Sequence, residues 1–268
     1  MSSEPPSPSV RTRIWLEEPE PDNAFATRAA HCHGYDVYGE MLGRARWVDM
    51  IYLLFRGERP STVQAETLDM LAIALANAGP RDPAVHAAMC GGVGGSTAAS
   101  CLMAALAVGA GQYGGGREVF LAMEHWAACG SDLPAWQSAL AAPATGPLGV
   151  WPAIEHAPGF DPHGTSTSAI VRQSLRCLAQ ANPSGAPAWL ERHRTALETA
   201  AGCPLAMTGV AAAALSALGF SPDEGEMLYL LLRLPGAAAH ALEQRSNGHK
   251  SFPFFALELE NSIVKEAT

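Results

Sequence analysis

The turn Gly109-Ala-Gly-Gln-Tyr-Gly-Gly-Gly116 sets Gln112 and Tyr113 among glycines. Glycine lacks a Cβ, adopts positive φ readily and lets another group approach the backbone, so this segment reads as the floor of a pocket. Tyr113 brings a phenol that can donate a hydrogen bond into that pocket, or pack as a ring whose hydroxyl finds a protein partner. Asp161 and His163, two residues apart in a loop, have the types for a general acid/base pair. Arg233 carries the planar guanidinium that grips a carboxylate through paired hydrogen bonds; ion pairing with Glu226 or Glu243 is the alternative. His240, on the apolar face of its helix, reads as a core histidine. The triplet His31-Cys32-His33 has zinc-ligand types, but no second ligand pair follows at a matching spacing, so no metal is expected.

These residues need a scaffold, and its periodicity is helical. Trp47 to Phe55 carries apolar residues at three- and four-residue spacing and stops at Gly57, and Pro60-Ser61 opens a second helix through about Ala78. Asp82-Pro83 starts a helix toward Gly91, Ser96-Thr97 the next, Gly116 another through about Cys129, and Asp132 a short one. Beyond Pro158 the expected helices are Thr165 to Ala181, Ala188 to Ala201, Pro204 to Leu218, Pro222 to Leu232 and Pro235 to Arg245. Alternating Val-Ile-Thr runs are almost absent, so the expected fold is all-α. No 20- to 50-residue repeat indicates a solenoid.

Two stretches lack Asp, Glu, Lys and Arg altogether: the 33 residues from Ala84 to Gly116, and Cys203 to Pro222. Each holds a helix rich in small residues. Such helices can meet in an interface between copies of the chain or be buried within one chain. The apolar heart of the first, Cys101 to Ala110, is about half of the ~20 residues a membrane span needs.

Composition narrows the function classes. A length of 268 residues with 48% hydrophobic content supports a substantial core. Seventeen basic against twenty-six acidic residues, a formal net charge of -9, and no basic cluster argue against nucleic acid as partner. Six scattered cysteines without a CxxC suggest free thiols in a reducing, cytoplasmic setting. The first 12 residues, rich in proline and serine, read as a disordered leader without signal-peptide features.

Five segments in order then carry a family resemblance: Gly34-Tyr35-Asp36; Ile51-Tyr-Leu-Leu-Phe-Arg-Gly-Glu-Arg-Pro-Ser61; Gly111 to Gly116; Pro158-Gly159-Phe160; and Leu232-Arg-Leu-Pro-Gly236 with Ala239-His240. Over residues 11 to 250 the chain resembles the citrate synthase superfamily, its short citryl-CoA lyase-like members in particular. The resemblance implies an all-α homodimer with a large domain (residues 13–115 and 217–268) and a smaller mobile one (116–216), the site lying in the cleft between them. It also implies an acyl-CoA (or CoA) and a 2-oxo acid as small-molecule substrates, joined or parted at a carbon–carbon bond, with no bound cofactor.

Carried over residue by residue, the family's enolate-stabilising histidine falls on Tyr113, before Gly114 and Gly115. A phenol can still donate a hydrogen bond. The histidine that follows Gly-Phe-Gly in the family falls near Gly159-Phe160-Asp161-Pro162-His163, with His163 one step late. The catalytic aspartate's place is Thr208, which is no base at neutral pH, and the oxo-acid histidine's place is Ala78. Arg233 matches the carboxylate-binding arginine, whereas a later arginine has become Ser251-Phe252-Pro253. The candidate catalytic residues are therefore Tyr113, Asp161, His163 and Thr208, and the candidate substrate-binding residues Arg233, Gly114, Gly115 and Phe160. Two functions follow from this pattern: an acyl-CoA lyase or transferase with a rebuilt site, or a non-catalytic dimer that binds a CoA thioester or a protein partner.

Overall fold

The computed structural model describes residues 10–141 and 154–252. Most of the expected leader and Pro253 lie outside them. A three-stranded antiparallel sheet comes first: β1 (Trp15–Glu20), β2 (Asn23–Cys32) and β3 (Tyr35–Asp36). Ten α-helices follow among the described residues: α1 (Trp47–Arg56), α2 (Thr62–Leu75), α3 (Pro83–Val93), α4 (Ala98–Gly109), α5 (Gly116–Cys129), α6 (Leu133–Ala141), α7 (Ala169–Ala181), α8 (Ala186–Ala201), α9 (Met207–Ala217) and α10 (Pro222–Asn247).

The helix starts follow the local chemistry that the sequence displays. The Ser61 hydroxyl accepts from Gln64 N–H while the Gln64 side chain accepts from Ser61 N–H, a reciprocal cap that opens α2. Asp82 accepts from the N–H groups of Ala84 and Val85, and Pro83 takes the first helical position of α3. Gly57 ends α1 at φ 73°, a left-handed conformation that suits glycine.

The sheet departs from the expectation of almost no strand. It hides from a hydrophobic pattern because half of β2 is exposed and only Ala30 and Cys32 are buried. Backbone pairing, from Trp15↔Cys32 to Glu20↔Asn23, and an Arg28–Glu18 ion pair of 2.6 Å hold it instead. A second departure is α10, expected as two helices but continuous through Pro235. Proline removes one bond to the carbonyl of Leu231, and both residues face solvent, where water can take up that carbonyl.

Contacts divide the described residues into two compact units. One holds those of 10–76 and 109–233, the other those of 77–108 and 234–252. In the first, α9 is the axis. Val210 to Leu215 are each 0% exposed, enclosed by α2, α5, α7 and α8 with Leu68, Val119, Leu175 and Leu197 among the surrounding side chains. The second uncharged stretch is thus core within one chain. Three tryptophans, Trp126, Trp136 and Trp189, meet beside it with ring centroids 4.9 to 6.1 Å apart. In the second unit, Val85, Ala88 and Met89 of α3, Cys101 and Ala105 of α4, and Ala237 and Ala241 of α10 form a smaller core. There a Cβ on Gly92 would lie 2.1 Å from the Ala241 carbonyl oxygen, so only glycine allows that helix crossing.

All six cysteines are free thiols. Among the described residues no helix is long and apolar enough to cross a membrane.

Candidate functional site

Glu118 organises the region that the glycine turn pointed to. It occupies the first turn of α5, where a carboxylate complements the positive end of the helix dipole, yet it is buried to 2% exposure. A carboxylate so far from water must be hydrogen-bonded. Its Oε2 accepts from Gly114 N–H, and its Oε1 accepts from Gly159 N–H and from the Thr208 hydroxyl, both at 2.9 Å. One side chain thereby ties together the turn before α5, the loop before Phe160 and the start of α9.

The three tied segments approach so closely that side chains are excluded. Gly114 has φ 70° and Gly159 has φ 90°. A Cβ on Gly209 would meet the Gly159 carbonyl oxygen at 2.4 Å, and one on Gly115 would meet the Gly111 carbonyl oxygen at 2.3 Å. Ala206 N–H donates to the Gly159 carbonyl at 3.0 Å and Asp161 N–H to that of Pro204 at 2.8 Å, with Phe160 and Leu205 paired as an antiparallel bridge between them.

Around this hub stand groups able to bind and to move protons. His156 Nε2 lies 3.7 Å from Glu118 Oε1, and both side chains are 2% exposed. Tyr113 stacks on the His156 ring, centroids 5.3 Å apart and planes 25° from parallel. The Gly114 carbonyl accepts from the Tyr229 hydroxyl at 3.0 Å and from Arg233 Nη1 at 3.2 Å, while the Arg233 guanidinium lies 4.9 Å from the centre of the Tyr229 ring. Nearby, Arg117 approaches Glu226 at 3.9 Å. Burial, reinforced by Asp223, pushes the Glu226 carboxyl above its ordinary range despite Arg117.

Of the residues chosen from sequence, Tyr113, Gly114, Thr208 and Arg233 come together here, and Gly115 is the residue from which α5 starts. Phe160 is buried, its backbone paired with Leu205. Asp161 and His163 form an exposed turn in which the aspartate carboxylate accepts from His163 N–H at 2.9 Å. Glu118, His156 and Tyr229 were missed. Glu118 had a signal, being the first carboxylate after 33 uncharged residues. His156 had a weaker one, its place just ahead of Pro158-Gly159-Phe160.

Among the described residues no three His, Cys, Asp or Glu side chains gather as a metal site. His33 of the early triplet instead approaches the Leu54 carbonyl at 3.4 Å.

At the level of sequence, neither a family model nor a curated protein matches the chain. Solved structures do. Citryl-CoA lyase from Hydrogenobacter thermophilus is similar over 97% of both chains, with a TM-score of 0.72 at 17% identity. The chain has the citryl-CoA lyase fold. Two ATP citrate lyases share it. The Methanothrix soehngenii protein, solved with citrate and coenzyme A, has a TM-score of 0.67 at 17% identity, covering 100% of this chain and 44% of that one. The Methanosaeta concilii D541A mutant, solved with (3S)-citryl-CoA, has a TM-score of 0.68 at 16% identity, covering 97% and 43%. This chain therefore spans the citryl-CoA lyase fold and less than half the length of either ATP citrate lyase.

Proposed function

We propose that the chain is a citryl-CoA lyase-like enzyme that breaks or makes the carbon–carbon bond between an acyl-CoA and a 2-oxo acid, using a rebuilt site. The fold supports the reaction class. The observation that carries the reading is the cluster around the buried Glu118 carboxylate, which accepts from Gly114 and Thr208 while Arg233 holds the Gly114 carbonyl and Tyr113 stacks on the neighbouring His156. The reaction needs a donor for the developing enolate, which the Tyr113 phenol supplies, and an anchor for the oxo-acid carboxylate, which Arg233 supplies. Packing on Tyr229 and the bond to Gly114 hold that guanidinium in place before substrate arrives. Coenzyme A enters as part of a substrate. Asp161 and His163 would take part from their exposed turn. A second copy of the chain would cover the outer face of α4, where Met103 and Val108 are exposed without any charge beside them on that helix.

One observation favours a second reading, a non-catalytic dimer that binds a CoA thioester or a protein partner. Thr208 stands where the family keeps its base, and both oxygens of Glu118 are occupied by donors. Loss of a positioned base costs orders of magnitude in rate.

Thiol release from acetyl-CoA plus oxaloacetate, and cleavage of citryl-CoA, separate the two. The enzyme reading expects turnover that falls about 100-fold or more in Arg233→Ala. Calorimetric binding of acetyl-CoA without turnover of any thioester would establish the binding dimer instead.

A further inference from the structure

The His156 imidazole is buried to 2% exposure, and neither ring nitrogen has a hydrogen-bond partner among the described residues. An unpaired buried polar group is costly, and folded proteins keep few of them. His31, His125 and His240 each have one such nitrogen; among the described residues His156 alone has two. Its neighbours do not relieve it. Glu118 Oε1, at 3.7 Å, is beyond hydrogen-bond distance and already accepts from Gly159 and Thr208. Tyr113 stacks on the imidazole face and is itself 57% exposed, so its side chain has solvent to turn into without disturbing the backbone that Glu118 pins.

We propose that His156 is the proton-carrying catalytic residue of this site, covered by Tyr113 until a ligand enters. The inference rests on the citryl-CoA lyase-like reading above. In the cleavage direction a neutral His156 nitrogen takes the proton of the tertiary hydroxyl. The adjacent carbon–carbon bond breaks, its electron pair passing into the thioester as an enolate while the carbinol carbon becomes the ketone of the 2-oxo acid. His156 then returns the proton to the enolate carbon, giving the acyl-CoA methyl and restoring the neutral imidazole. One proton leaves oxygen and arrives at carbon, so no further reactant is needed. Glu118 is a positioning residue, its negative charge 3.7 Å away stabilising the transient imidazolium.

The test uses the full chain with its histidine rings labelled with nitrogen-15 and citryl-CoA as probe, the His156 resonances being identified by their loss in His156→Gln. Citryl-CoA should shift those resonances. In His156→Gln the rate constant for forming acetyl-CoA and oxaloacetate from citryl-CoA should fall about 100-fold or more, with KM within about threefold. Bound citryl-CoA that leaves the His156 resonances unmoved, or full turnover in His156→Gln, overturns the role of His156 and leaves the lyase reading standing. Citryl-CoA that binds wild-type protein without turnover, or does not bind at all, overturns both.

Discussion

Helices α9 and α4 both lie in stretches without a charged residue, yet they meet water very differently. Along α9, six consecutive residues from Val210 to Leu215 are sealed at 0% exposure. Along α4, Cys101 and Ala105 are buried, but Met103 is 60% and Val108 46% exposed. Absence of charge therefore has two physical causes. A helix enclosed on every side cannot hold a charge because no water solvates it. A helix that shows an uncharged face to solvent needs a different account, and the second copy of the chain proposed above for α4 is the one tested below.

Inserting a charge in each helix tests this contrast most severely. Ala212→Glu buries a carboxylate without a partner and should cost about 5 kcal/mol or more, abolishing the cooperative melt followed by circular dichroism. Met103→Glu should shift stability by only about 0.5 kcal/mol. Its effect should appear in sedimentation, as conversion of a dimer to a monomer; wild-type protein that sediments as a monomer would remove the second cause.

The smallest effect belongs to the sealed side alone. Burial lowers the His125 pKa below 6.5, so its ring is neutral in the fold, and the unfolded chain gains the proton first as the pH falls. Stability that is complete above about pH 6.5 is then lost progressively toward the native value. Glu198 adds a later loss. Burial raises its pKa, but hydrogen bonds from Thr167 and Arg194 and the Leu205 amide outweigh it, so the net shift is downward. Its stabilisation is present above the ordinary glutamate range and disappears as the pH falls below it. Urea midpoints measured from about pH 8 to about pH 3 should show both stages, and His125→Gln should remove the first.

How much could be read from the sequence follows from where each signal resides. Helix starts at Ser61, Asp82 and Gly116 depend on local capping and turn chemistry, and all three appear as expected. The sheet was illegible because backbone pairing holds it with little apolar alternation. At the site, Tyr113 and Arg233 were legible through the glycine turn and the family pattern. Glu118 and His156 left only faint marks, as the first carboxylate after the uncharged run and a histidine just ahead of Pro158-Gly159-Phe160. What they do is set by contact between segments far apart in the chain: Glu118 meets Gly159 and Thr208, 41 and 90 residues away.

The tryptophan cluster gives the sealed region an optical signature. Trp126, Trp136 and Trp189 are buried and near enough to exchange excitation energy, whereas Trp47, outside the cluster, is 70% exposed. Emission from the shielded indoles lies to the blue of that from the wet one. Ultraviolet light thus reads the packing around α9 in one part of the spectrum and the solvated surface in another, without an added dye.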